Sequence, residues 1–542
     1  MGRGRLWVGV SANGASHRGG TFVIVTQQVL TSSNRRTRDA VDPAIYYEAF
    51  NPQFTGLAYD PLVTFQESAG SNGLHLVPDL ALAIPAPRDR GRTYAFRIRP
   101  HIRYSDGQPL RASDFRRGME RLFRVHSPAR SLFSSIVGVA ACTRHPAGCD
   151  LSRGIVTDNA TGSVVFHLTA PDAPFLFNLT QNGFAAPIPP GTSDHETGSR
   201  TVPGTGPYRI VAVSNTQVRF ARNPYFQEWS HAAQPAGNPN AIVWRTAPTV
   251  QDAVADVEHG RADYLFGLVP RAQYRQLELH SPAQVYSSPV FSVEFSPLNT
   301  HRAPFDDVRV RRAFNYAIDR AKIVKLYGGS AFATVTCQVI APGLTGYRRY
   351  CPYTARRRAS GAYTGPDLAR AHRLVAESGT AGDRINIWGT TDNSHIPQGL
   401  TEYLALVLRH LGYRVRLPLV TNASFTDALR ARIQLSTDGD WVANYPDPTA
   451  YLPQFFGCGG GNGNGYYCNP RLDREMHRAG LLELSSPAKA SALWAAIDRQ
   501  ITDAAPWVTY ASELDVDLVS RRLRNYEFNP VWGILVDQAW IR

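Results

Sequence analysis

Six cysteines fall into three close pairs, Cys142 and Cys149, Cys337 and Cys351, Cys458 and Cys468. The nearest-neighbour pairing closes three short loops, each flanked by Pro or Gly, and leaves no thiol over. Local disulfides of this kind predict an oxidising compartment. A metal reading needs more donors than the chain supplies: Cys142-Thr-Arg-His145-Pro-Ala-Gly-Cys149 offers three, no fourth stands nearby, and no C-x-x-C occurs. No metal site is expected. Enzyme signatures are missing too. The chain has no G-x-S-x-G elbow, no H-E-x-x-H helix and no G-x-x-x-x-G-K-[ST] loop, and His195-Glu196 lacks the second histidine of a zinc site. Gly457-Cys-Gly-Gly-Gly-Asn-Gly-Asn-Gly465 has the composition of a phosphate cradle. It neither follows a clear strand nor opens a helix, so a loop tied at its ends by Cys458 and Cys468 is the expectation. Carboxylate pairs such as Asp438 and Asp440 are too common to name an acid and a base. No nucleophile, cofactor or catalytic role is assigned, and the chain is not read as an enzyme.

The elements that carry these residues come in two styles. At 542 residues with 43% hydrophobic and 19% charged composition, the chain is ordinary packed protein, long enough for several domain-sized units. No apolar run reaches the length of a membrane-spanning helix. The first half reads mainly as strands. Tyr94, Phe96 and Ile98 alternate with polar neighbours, Ser163-Val-Val-Phe-His-Leu repeats the pattern, and Tyr208–Ser214 with Gln217–Arg222 forms a hairpin around Asn215-Thr216. Its best helix begins at Ala112, with Ser113 or Asp114 as cap. The second half is α/β. Asp306 and Asp307 cap a helix whose apolar residues Val310, Phe314, Ala317, Ile318 and Val324 recur at helical spacing. Pro366 opens another helix that Gly379 ends. Ile385–Trp388, Gly399–Leu411 and Tyr413–Val420 then read as strand, helix, strand, a βαβ unit that requires a parallel sheet.

The formal charge is 57 − 44 = +13, but only Lys322, Lys325 and Lys489 are lysines. Apart from Arg356-Arg357-Arg358, the arginines are scattered and not interleaved with stacking aromatics, so no nucleic-acid partner is expected. At the start, Met1-Gly-Arg-Gly-Arg-Leu-Trp-Val-Gly-Val has an apolar stretch too short for a secretory h-region, and no cysteine there offers a lipid anchor. The leader is therefore read as absent from this chain. Residues 1–17 are an N-terminal extension or the remnant of an upstream segment, and Arg5–Val10 resembles the closing strand of a β-propeller repeat.

An ordered set of segments resembles one family. Leu76-Val-Pro-Asp-Leu-Ala, the alternating strand and Tyr104-Ser-Asp-Gly-Gln-Pro-Leu-Arg-Ala-Ser-Asp-Phe come first. Gly204-Thr-Gly-Pro-Tyr208, Arg222-Asn-Pro-Tyr-Phe226, the run Asp307–Arg320 and Trp441-Val-Ala-Asn-Tyr-Pro-Asp-Pro448 follow in order. This is the pattern of family 5 extracellular solute-binding proteins, the peptide- and nickel-type binding components of ABC importers. The resemblance covers residues 18–542. It implies an α/β, two-lobe periplasmic-binding-protein-like fold (class II, large cluster C type), with hinge crossovers near Tyr286–Phe295 and Trp507–Ser512 and a ligand cleft between the lobes. The expected division is 18–289 for lobe I, 290–508 for lobe II and 509–542 for a return segment of lobe I. Arg311 and Arg312 are expected to make structural ion pairs. The implied function is capture of a peptide-like or other small polar solute by lobe closure. The partners are ABC permease subunits, the form a monomer and the place extracytoplasmic, at the cell surface or in the periplasm. The alternative is a ligand-sensing domain of a larger fused regulatory protein. Candidate ligand contacts are Trp441, Asn444, Tyr445 and Asp447, with Trp388 at the end of a βαβ strand and Tyr59 in the first lobe. Peptide-binding relatives carry Asp at the third position after the Trp. Asn444 stands there in this chain, where it cannot supply a charge-assisted bond to an ammonium, leaving Asp447 or Asp440 to compensate.

Overall fold

The computed structural model describes residues 17–27, 41–45, 51–198, 200–391, 396–397, 399–421, 433–437, 439–460 and 467–542. The readings of the N-terminal extension, of Asp438 and of most of the glycine run before Cys468 fall outside these. One ten-stranded sheet forms the frame. It runs from Gly439–Val442 through Ser292–Pro297, Trp507–Val519, Tyr264–Phe266, Thr21–Thr26, Ala241–Thr246 and Gln217–Arg222 to Tyr208–Val213. Trp507–Val519, the hinge strand, is the axis. Its first half pairs antiparallel with Ser292–Pro297 and with Ala333–Val335. Its second half pairs with Val285–Pro289 and, at Leu518 and Val519, with Tyr264–Phe266. The crossovers expected from the sequence are these strands, and the second reaches on to Val519.

On one side of the hinge strand, Thr21–Thr26 runs parallel to both Ala241–Thr246 and Tyr264–Phe266. The predicted hairpin pairs Tyr208 with Arg222, with a register shift between Ile210 and Ala212. A three-stranded sheet of Thr93–Arg97, Ser163–His167 and Ile155–Asp158 packs against helix Ala112–Arg124 around Phe96, Phe115, Phe123 and Phe166. That helix is capped from inside its first turn: Arg111 is the N-cap residue, and its backbone N–H donates to Asp114 at 2.9 Å.

On the other side, Arg384–Thr390 pairs in parallel with Arg414–Arg416, joined by helix Leu400–His410, as the βαβ reading requires. Two expectations need correcting. The helix after Asp307 is two helices, Val308–Ala317 and Arg320–Leu326. Ile318 is extended between them, and the Asp319 side chain accepts from the Lys322 N–H, starting the second helix afresh. Among the described residues Arg311 and Arg312 make no ion pair. Arg311 donates to the carbonyls of Ala504, Phe305 and Asp306, and Arg312 to that of Asp503. They satisfy the carbonyl-rich end of helix Pro487–Ala504, where cations are favoured. The three expected disulfides, Cys142–Cys149, Cys337–Cys351 and Cys458–Cys468, are present.

Candidate ligand cleft at the hinge

The candidate segment begins in the sheet. Trp441 lies opposite Val293 and Asp440 opposite Glu294, because Gly439–Val442 is the edge partner of Ser292–Pro297. The chain then leaves the sheet, tied once more by the Ala443 N–H to the Phe291 carbonyl. Trp441 packs edge-on against Phe455 with ring centroids 5.1 Å apart. Its indole Nε1 is buried and meets no acceptor among the described residues. Asn444 is exposed at the bend. Tyr445 and Asp447 turn inward. Asp447 is 1% exposed and caps the short turn Pro448–Ala450, accepting from the Thr449 N–H at 2.8 Å. Burial raises its carboxyl above the usual range, although hydrogen bonds with Glu483 and Thr449 work the other way.

Trp388 is half-buried near the C-terminal end of Arg384–Thr390, and its carbonyl accepts from the Thr437 N–H at 2.9 Å. That bond brings it to the entry of the Trp441 segment. Tyr59 does not join them. It is 2% exposed within the core of the other side, and its hydroxyl donates to the Val202 carbonyl, a packing role.

The sequence reading missed the acids of the hinge itself. Glu513, Asp515 and Asp517 alternate with Leu514, Val516 and Leu518 along the hinge strand, which puts the carboxylates on one face. Glu513 is pushed up to about 7, chiefly by burial and then by Asp440, with Arg271 opposing. Glu294 is held well above its usual range by burial and by Glu513 and Asp440, while Tyr327 donates to it at 3.0 Å. A cavity of about 250 Å³ opens beside Glu513 and Arg271, walled by Phe266, Val269 and Phe332, with Gln27 at its rim. It lies at the C-terminal ends of the parallel strands Thr21–Thr26 and Tyr264–Phe266, the edge at which open α/β sheets place ligands. Its make-up, apolar walls with few charged groups, is that of a small-molecule site. The signal that marked it was the Glu-x-Asp-x-Asp alternation; Arg271 and Glu294 carried none, because only the fold brings them there.

A two-lobe frame crossed by hinge strands, with a mixed apolar and charged cavity at the crossing, defines a solute-binding protein. The family model for bacterial extracellular solute-binding proteins, family 5 (middle), matches residues 75–463, and the chain belongs to that family of ABC-importer binding components. It is 22% identical over 476 residues to the glutathione-binding protein GsiB of Shigella dysenteriae, covering 83% of each chain. Among solved structures it is similar to the clavulanic acid biosynthesis oligopeptide binding protein 2, with a TM-score of 0.83 at 22% identity over 98% of this chain and 96% of that one. It is also similar to the Haemophilus influenzae OppA complex with RPPGFSPFR, with a TM-score of 0.69 at 20% identity over 96% and 98%. The family and these neighbours are binding proteins, not enzymes, and a fused regulatory role finds no support among them. No helix among the described residues is long and apolar enough to cross a membrane.

Proposed function

We propose that the chain captures a short peptide or peptide-like polar solute between its lobes and hands it to ABC permease subunits, acting as a monomer outside the cytoplasmic membrane. The solute class rests on the hinge cavity, where a guanidinium and carboxylates stand on opposing elements. Arg271 suits a solute carboxylate; Glu513, which feels the Asp440 charge, suits an ammonium that Asn444 cannot neutralise. Relatives described as binding glutathione, and as crystallised with RPPGFSPFR, agree in chemistry. Trp388 lines the approach in this reading, and Tyr445 and Asp447 support the loop from behind.

The test is mass spectrometry of solute released by denaturation from gently purified protein. A zwitterionic peptide or peptide-like compound is the expected species. A sugar, or a metal chelate without amide bonds, overturns the reading.

A further inference from the structure

The two lobes touch directly at a place away from the hinge cavity. Phe65 and Phe177 come from chain before the crossovers, Tyr445 from chain between them. The three rings form a parallel ladder, with centroids 6.1 Å apart for Phe65 and Phe177 and 4.8 Å for Phe177 and Tyr445, tilted by only 9° and 8°. Phe177 is held for this contact by its own short helix. Phe175 is fully buried in the core behind it, and the Asn178 amide donates to the Leu132 carbonyl at 2.8 Å. Two residues on from Phe175, Phe177 faces the other way. Tyr445 is 6% exposed, and its hydroxyl accepts from Thr449.

The same loop makes a second, independent approach. A methyl group at Gly480, on helix Pro470–Glu483, would lie 3.1 Å from the Ala173 Cβ and 3.4 Å from Thr449. A methyl group at Gly91 would lie 3.3 Å from Pro171 and 3.4 Å from Leu484. Residues 171–173 and Gly91 therefore sit close against that helix and its end, where even a methyl group would be tight. Glycine at 480 is what admits the close contact, since the helix there has ordinary right-handed geometry and imposes no need for it.

We propose that this face is a latch: aromatic stacking of Phe177 on Tyr445, and the seat for Ala173 at Gly480, hold the lobes together by protein–protein contact. Part of the closing free energy then comes from the chain itself, and solute has only to supply the remainder. The proposal rests on lobe closure and not on the identity of the solute.

Small-angle X-ray scattering of protein stripped of solute by unfolding and refolding tests it, because no ligand is needed. Stacked aromatic pairs contribute enough that Phe177→Ala is expected to lower the closed-to-open ratio by about two- to tenfold, seen as a larger radius of gyration. Gly480→Leu wedges the seat apart and, with its gain in helix propensity offsetting part of the crowding, shifts the radius the same way. Tyr445→Phe keeps the ring and the wild-type radius. If the folded Gly480→Leu variant, and Phe177→Ala where it folds, scatter as wild type does, the latch is overturned, whatever solute the cleft proves to bind.

Discussion

Asn444 is the residue at which this chain parts from the peptide-binding pattern. It is exposed at the bend after Trp441, so an acid introduced there faces solvent and not core. Charge-assisted hydrogen bonds exceed neutral ones by about 1–1.5 kcal/mol, and Asn444→Asp should tighten binding of free-amino peptides roughly tenfold in calorimetric titration. No gain would mean that Asp440 or Glu513 already holds the ammonium. Behind the same loop, Glu483 shares a hydrogen bond with Asp447 and accepts from the Trp494 indole at 2.5 Å. Burial, then the Asp447 charge, lift Glu483 from an ordinary 4.5 to about 9. The folded protein thus holds a proton that the unfolded chain releases. This contribution is complete below pH 4.5 and drains away as pH rises to about 9. Glu483→Gln needs no such proton and still accepts from Trp494. Urea melts at pH 6 and pH 9 should show a smaller loss of stability for Glu483→Gln than for wild type; parallel losses would show that the pair is ionised in the fold.

Elements built from local signals were the most legible. The hairpin at Asn215, the βαβ unit after Arg384 and the Asp307 cap follow from turn chemistry and periodicity, and each holds in the fold. The helix break at Ile318 was hidden because apolar spacing runs on through Val324 while two extended residues, Ile318 and Asp319, reset the axis. The site divides in the same way. Trp441 to Asp447 was readable as one contiguous segment, but Glu294, Arg271 and Glu513 meet only because the hinge strand pairs on both of its halves. Helix Ala112–Arg124 shows how such long-range ties can be strong. Arg121 makes a two-pronged pair with Asp42, at 2.7 and 2.6 Å, with both side chains 1% exposed. Burial alone would raise Asp42, but the Arg121 bond and charge, with the N–H groups of Thr197 and Ala44, bring it below its usual range. Arg121→Met strands that carboxylate and should cost about 3–5 kcal/mol in chemical denaturation. Adding Asp42→Asn should recover a large share, and a single mutant as stable as wild type would remove the pair from the helix's anchoring.

At the scale of the whole molecule, part of the positive charge behind the +13 balance serves the scaffold, with Arg121, Arg311 and Arg320 buried. Arg320 is fully buried and bonded to the Thr509 and Asn315 carbonyls, and Arg222 holds those of Ala236, Gly237 and Asn238. These two guanidinium groups gather backbone oxygens, which is packing. Cysteine usage says more about where the molecule works. Three disulfides span separations of 7, 14 and 10 residues, and no cysteine is free. Loops of that size are each expected to stabilise by about 2–3 kcal/mol through restriction of the unfolded chain, a contribution that persists only under oxidising conditions. Thiol counting in denaturant on protein made by its native export route should find no reactive thiol. The paired substitution Cys142→Ser with Cys149→Ser should lower unfolding free energy by about 2–3 kcal/mol. Six titratable thiols in protein drawn from its native compartment would mean that the fold stands without these ties, and the extracytoplasmic placement would go with them.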